Sequence, residues 1–172
     1  MSSPANSSEP AAEWLWHVTE DDVPLGPVER SRAHAEQLRH RSGIVFLVDA
    51  DANVYLTRRA AEKRIFPGCH DSSASFHVAY GESYAEAATR EAAEELGLEA
   101  PLSFLGTFHH HDPPERQWVA VFLMKHAGGA IKLDPAEASG GRFMALAEAE
   151  RIVREERCTP WLRDGLVFLF RA

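Results

Sequence analysis

The run from Gly81 to Leu98, GESYAEAATREAAEELGL, constrains this chain more than any other stretch, because it carries its own start, its own end and three carboxylates at helical spacing. Ser83 and Glu86 form a capping box: the serine oxygen accepts from a first-turn amide while the glutamate reaches back. Ala85, Ala87, Ala88, Ala92 and Ala93 favour helix, no proline intervenes, and Gly97 stands where a left-handed cap belongs. The predicted helix runs for about three and a half turns, roughly 20 Å. At about 100° per residue, Tyr84, Ala85, Ala88, Ala92 and Leu96 share one arc, which is the face expected to be buried.

Glu91, Glu94 and Glu95 occupy the arc beside it, where like charges one turn apart repel by about 0.2–0.5 kcal/mol per pair. A divalent cation reverses that cost. Hard ions such as Mg²⁺ or Mn²⁺ take carboxylate oxygens and keep waters that a phosphate can displace. Arg90, one turn before Glu94, can hold that carboxylate by a charge-assisted bond. A bare Glu-x-x-Glu-Glu is more often a solvated acidic face, so the wider pattern has to decide. Glu82, seven intervening residues, and then Arg-Glu-apolar-x-Glu-Glu-x-Gly-apolar from Arg90 to Leu98 resembles the signature box of the Nudix hydrolases. One letter departs: the box opens with glycine six residues before the first glutamate, and Phe76 stands there.

A length of 172 residues suits one domain that buries roughly 68–70% of its unfolded surface. A formal net charge of −8 argues against a nucleic-acid polymer or an anionic membrane as partner, so an anionic substrate needs local cations or metal. Residues 1–12, rich in Ser, Pro and Ala, read as a disordered tail and 13–172 as the single domain. The tail has neither the basic start nor the apolar run of a targeting segment, and no stretch approaches the roughly 18 apolar residues of a membrane span. Cys69 and Cys158 are too few for a disulfide framework, which makes a reducing cytoplasm the expected compartment.

Along the chain, Glu13–Thr19 alternates as a first strand, broken by the acidic run from Glu20 and by Pro24-Leu25-Gly26. Glu29–Arg41 is compatible with helix. Gly43–Val48 and Val54–Thr57 read as a buried hairpin, and Arg58, Arg59, Lys63 and Arg64 form a basic cluster that either is solvated or reaches a diphosphate. Leu102–Phe108 and Trp118–Lys125 are further strands, joined by a polar turn holding His109, His110 and His111. Asp134–Gly141 reads as a loop, Arg142–Ala145 as a last strand, and Leu146–Arg157 and Pro160–Phe170 as closing helices. The predicted class is α/β, with a mixed sheet between helices.

The surroundings of the box narrow the resemblance. Ala33-His34, Leu38 to Arg41, Arg58-Arg59, Lys63, Pro67-Gly68, Asp71 and His77 look like the Nudix branch related to isopentenyl-diphosphate isomerase. The resemblance implies a Nudix-like α/β/α sandwich and a metal-dependent hydrolase cleaving a diphosphate linkage in a nucleotide or nucleoside diphosphate derivative. It further implies that Glu91, Glu94 and Glu95, with the Ser75 carbonyl, bind Mg²⁺ or Mn²⁺, that Arg90 orients them, and that Arg59, Lys63 and His77 touch substrate. The base is either a box glutamate or Glu137. An isomerase needs a cysteine and a glutamate where Ser75 and Gln117 stand, so that activity is the runner-up. A non-catalytic nucleotide-binding Nudix protein is the third reading, supported by Phe76. The oligomeric state is open, a homodimer among the alternatives.

Overall fold

The computed structural model describes residues 12–111 and 115–171. Apart from Ala12, the expected tail lies outside the described residues, as do Asp112, Pro113 and Pro114 of the histidine turn. Nine strands form one mixed sheet: β1 Trp14–Val18, β2 Pro24–Glu29, β3 His40–Val48, β4 Val54–Arg59, β5 His70–Asp71, β6 Ala74–His77, β7 Leu102–His110, β8 Gln117–Lys125 and β9 Ala138–Met144. The helices are α1 Arg30–Ala35, α2 Tyr84–Leu96, α3 Leu146–Glu155 and α4 Pro160–Leu166, the last running on into a 3₁₀ turn, Val167–Phe170.

β3 is the axis of the sheet. It runs parallel to β8 from His40↔Gln117 to Val48↔Lys125 and antiparallel to β6 from Ser42↔His77 to Val45↔Ala74. Successive side chains of a strand point to opposite faces, and β3 therefore feeds two cores. Val45 and Leu47 join Phe76, Phe122 and Met124 beneath Ala88, Ala92 and Leu96 of α2. Ile44 and Phe46 join Val119, Val121, Ile152, Trp161 and Leu162 beneath α3 and α4. The result is the α/β/α sandwich expected from the sequence.

Several boundaries differ from the sequence reading. Helix after Glu29 lasts only six residues, because β3 starts at His40 and the chain must reach it through Gln37, at φ 52°. Pro24-Leu25-Gly26 begins β2, an edge strand where a proline loses no ladder bond. The loop read over Asp134–Gly141 becomes β9 from Ala138, since β4 offers it a free edge. His109 and His110 belong to β7, paired with Trp118 and Gln117.

Candidate active site

α2 is capped as its sequence demands. Ser83 Oγ accepts from the Glu86 amide, Glu86 Oε2 accepts from the Ser83 amide at 2.8 Å, and Gly97 adopts φ 67° at the other end. Its buried arc is centred differently from the sequence expectation: Ala87 is buried and Ala85 is exposed. That rotation turns Glu91 and Glu95, which lie one turn apart, toward the sheet, and leaves Glu94 on the outside.

A cleft of about 320 Å³ opens there. Glu91, Glu95 and Glu137 line it together with Arg59, Lys63 and Arg64, and Ile44, Ile65, Phe76 and Val119 supply apolar surface. Alternation along β4 sends Arg59 into this cleft and Arg58 to the opposite face, beside His70. Burial, then Glu137 and Glu91, pushes the Glu95 carboxyl well above the usual carboxylate range. Burial also raises Glu91, against the pull of Arg90. Two partly buried carboxylates, raised by burial first and by the nearby Glu137, form a donor set that suits a hard divalent cation.

Arg90 does not act chiefly on Glu94. Its guanidinium meets Glu82 through two bonds, Nε to Oε1 at 2.8 Å and Nη2 to Oε2 at 2.9 Å, and Nη1 reaches Glu91 at 2.7 Å and Glu94 at 3.3 Å. Hydrogen bonding from Arg90 brings Glu82 below its ordinary value. Glu94, with 58% of its side chain exposed, does not line the cleft, whereas Glu91, Glu95 and Glu137 do. Glu137 comes from the turn before β9 and is ion-paired with Lys63.

Ser75 lies in β6 opposite Ile44, and its main-chain N–H donates to Glu95 Oε2 at 3.2 Å. The contact with the carboxylate is thus made by the amide N–H. Phe76 is 6% exposed and packs in the core beneath α2. Its cross-strand partner is Gly43, where an added Cβ would lie 2.5 Å from Phe76 Cζ. The missing side chain of Gly43 makes the room in which the phenylalanine ring sits.

His77 lines the cleft, but its ring packs among others instead of standing free for an anion. The rings of His34 and His40 lie 5.2 and 5.1 Å away, and ligand atoms of His34, His40, His77 and Glu115 all fall within 4.8 Å of one another. Burial, then the neighbouring His40, holds His77 well below 6.5, so it brings no positive charge to a phosphate at neutral pH. Burial lowers His40 to about 4, and its Nδ1 faces the Leu38 carbonyl at 2.9 Å, a contact that leaves Nε2 with a lone pair in the neutral ring. His34 Nδ1 meets Glu115 Oε1 at 2.7 Å. Imidazole nitrogens grouped with one carboxylate suit a transition metal such as zinc better than magnesium. Gln117 closes the group, 2.9 Å from Glu115 Oε2. The sequence offered His34, His40 and His77 as positions of resemblance, but Glu115 had no local signal. Its place depends on β8 starting two residues later alongside His40.

His109 and His111 stay near the surface against Trp118, and His110 turns toward Trp161 and Asp164. Among the described residues, no helix is long and apolar enough to cross a membrane.

Residues 38–163 match the NUDIX domain family. The chain is 33% identical over 156 residues to an uncharacterized Nudix hydrolase of Pseudomonas aeruginosa, covering 90% of each, and 36% identical over 159 residues to one of Streptomyces coelicolor, covering 91% of this chain and 86% of that one. Its fold matches the crystal structure of DR0079 from Deinococcus radiodurans with a TM-score of 0.80 at 26% identity, over 92% of this chain and 100% of that one. It also matches the NUDIX domain of Shewanella oneidensis NrtR, solved with ADP ribose, with a TM-score of 0.59 at 16% identity, over 76% and 86%. The sandwich, the box helix and these relatives together show that the chain belongs to the Nudix family and is a hydrolase acting on pyrophosphate bonds.

Proposed function

We propose that this protein cleaves the diphosphate linkage of a nucleotide or nucleoside diphosphate derivative, with Mg²⁺ or Mn²⁺ as cofactor, in the cytoplasm. The observation that carries the reading is the presence in one cleft of Glu91, Glu95 and Glu137 beside Arg59, Lys63 and Arg64. Glu91, Glu95 and the Ser75 carbonyl are the groups we assign to the ion, with Glu94 set aside as exposed. When bound, the ion supplies polarisation of a phosphoryl oxygen and a more acidic water. Arg59 and Lys63 receive the phosphates, where fixed positive charge is worth most as negative charge develops. Arg90 holds Glu91 in place. The proton acceptor is drawn from Glu95 and Glu137: burial makes the first a stronger base than a free carboxylate, while Lys63 orients the second.

ADP ribose, the ligand of the Shewanella oneidensis domain, belongs in the panel that tests this, beside nucleoside di- and triphosphates and sugar nucleotides. Turnover should require Mg²⁺ or Mn²⁺, and Glu95→Gln should lower kcat at least about a hundredfold with the fold intact. A panel in which nothing turns over with either ion sinks the proposal. Binding without turnover would favour the non-catalytic reading. Interconversion of isopentenyl and dimethylallyl diphosphate, followed by NMR, would revive the isomerase, against which Ser75 and Gln117 stand.

A further inference from the structure

Asp71 has no role in the chemistry above, yet this 2% exposed carboxylate collects donors from four parts of the chain. They divide between its two oxygens. Oδ1 accepts from the Ser72 amide at 2.8 Å, Thr159 Oγ1 at 2.9 Å and Trp161 Nε1 at 2.7 Å, with the Ser72 hydroxyl at 3.3 Å. These bonds tie β5 to the start of α4. Oδ2 accepts from Arg59 Nη1 at 2.8 Å and Ser75 Oγ at 3.1 Å, and both of those residues line the cleft.

Tying β5 to the start of α4 needs only Oδ1. Oδ2 is the junction of two short chains: one ends at the Arg59 guanidinium, and the other passes through Ser75, whose amide holds Glu95 Oε2 at 3.2 Å. Thr57, Arg59, Asp71, Ser75, Glu95 and Glu137 also enclose a chamber of about 10 Å³, room for a single water between the two ends. Arg59 is held a second way, its Cζ lying 5.6 Å from the centre of the Trp161 ring, and Asp71 fixes Trp161 as well.

We propose that Asp71 is a positioning residue for the hydrolysis: it sets the Arg59 guanidinium, which receives a phosphate, relative to Glu95, which is assigned to the ion. The proposal rests on the reading of Arg59 as a phosphate group's partner. Asp71→Asn isolates the claim, because four donors hold Oδ1 and so direct the new amide at Arg59 and Ser75. The serine hydroxyl can rotate to accept from that amide. The guanidinium has no acceptor to offer and must move.

The test is a double-mutant cycle of Asp71→Asn and Arg59→Ala, read in KM, kcat, the Ki of inorganic diphosphate with Mg²⁺, and Tm. Asp71→Asn should raise KM and Ki tenfold or more, and the double variant should match Arg59→Ala in Ki within twofold. Lowered Tm with KM, kcat and Ki unchanged would show that Asp71 is only structural, and effects on Ki that multiply would show that it does not act through Arg59. Either result overturns the proposal. Should Asp71→Asn fail to fold, Ser75→Ala removes one donor from Oδ2 alone and should cut kcat/KM at least threefold; an unchanged value counts against us. If the wild-type protein turns over no substrate, the proposed function falls. The calorimetric Kd for inorganic diphosphate then replaces Ki in the same cycle, and a wild-type protein that does not bind it overturns the role of Asp71 too.

Discussion

Phe76 shows how a residue that breaks a family pattern is accommodated by another far from it in sequence. Glycine at that position would leave a hole above Gly43; the ring fills it, and its cross-strand neighbour has no Cβ. Gly43→Ala should therefore overpack the pair and cost about 1–3 kcal/mol, read by urea unfolding. Phe76→Gly should relieve the clash when combined with it, so the double variant should be more stable than the sum of the two losses predicts. Because the ring points into the core and Ser75 keeps its amide on Glu95, Phe76→Gly alone should shift Mn²⁺ affinity less than tenfold, below about 1.4 kcal/mol. A gain of a hundredfold would mean that Phe76 spoils the metal site.

Elements were legible where local chemistry sufficed. The capping box, the alanines and Gly97 defined α2 to within a residue, and Thr159-Pro160 announced α4, whose cap is Thr159 Oγ1 accepting from the Leu162 amide. Ser83→Ala should lower stability by about 1 kcal/mol, seen as a fall in Tm, while leaving the positions of Glu91 and Glu95 unchanged, since the helix is held by Ala88, Ala92 and Leu96 below. The short strands β5 and β6 were not legible. Their residues, His70–Asp71 and Ala74–His77, carry no long alternation, and they are strands only because β4 and β3 present edges to them.

In the whole molecule, the buried histidine group makes stability depend on pH. His40 and His77 have folded pKa values below the unfolded 6.5, both through burial first. The unfolded chain then binds more protons once the pH drops below 6.5, and stability falls progressively from there toward the His40 value of about 4. The unfolding midpoint should drop over that window and be flat above it from this source, and His40→Gln should make the drop shallower. A profile unchanged by that substitution would mean that His40 is not buried neutral. The sequence by itself determined the box helix and the mixed sheet between helices, and it singled out the box carboxylates and the basic cluster from Arg58 to Arg64, because caps, periodicity and charge spacing are properties of neighbours along the chain. Only the tertiary structure decided that Glu94 turns outward while Glu137 turns in, that His77 joins His34, His40 and Glu115, and that Asp71 links Arg59 to Glu95. Those placements depend on strand pairings, of β3 with β6 and β8 for the histidines and of β4 with β5 and β9 for Asp71 and Glu137, which bring together residues distant in sequence and which no local pattern encodes.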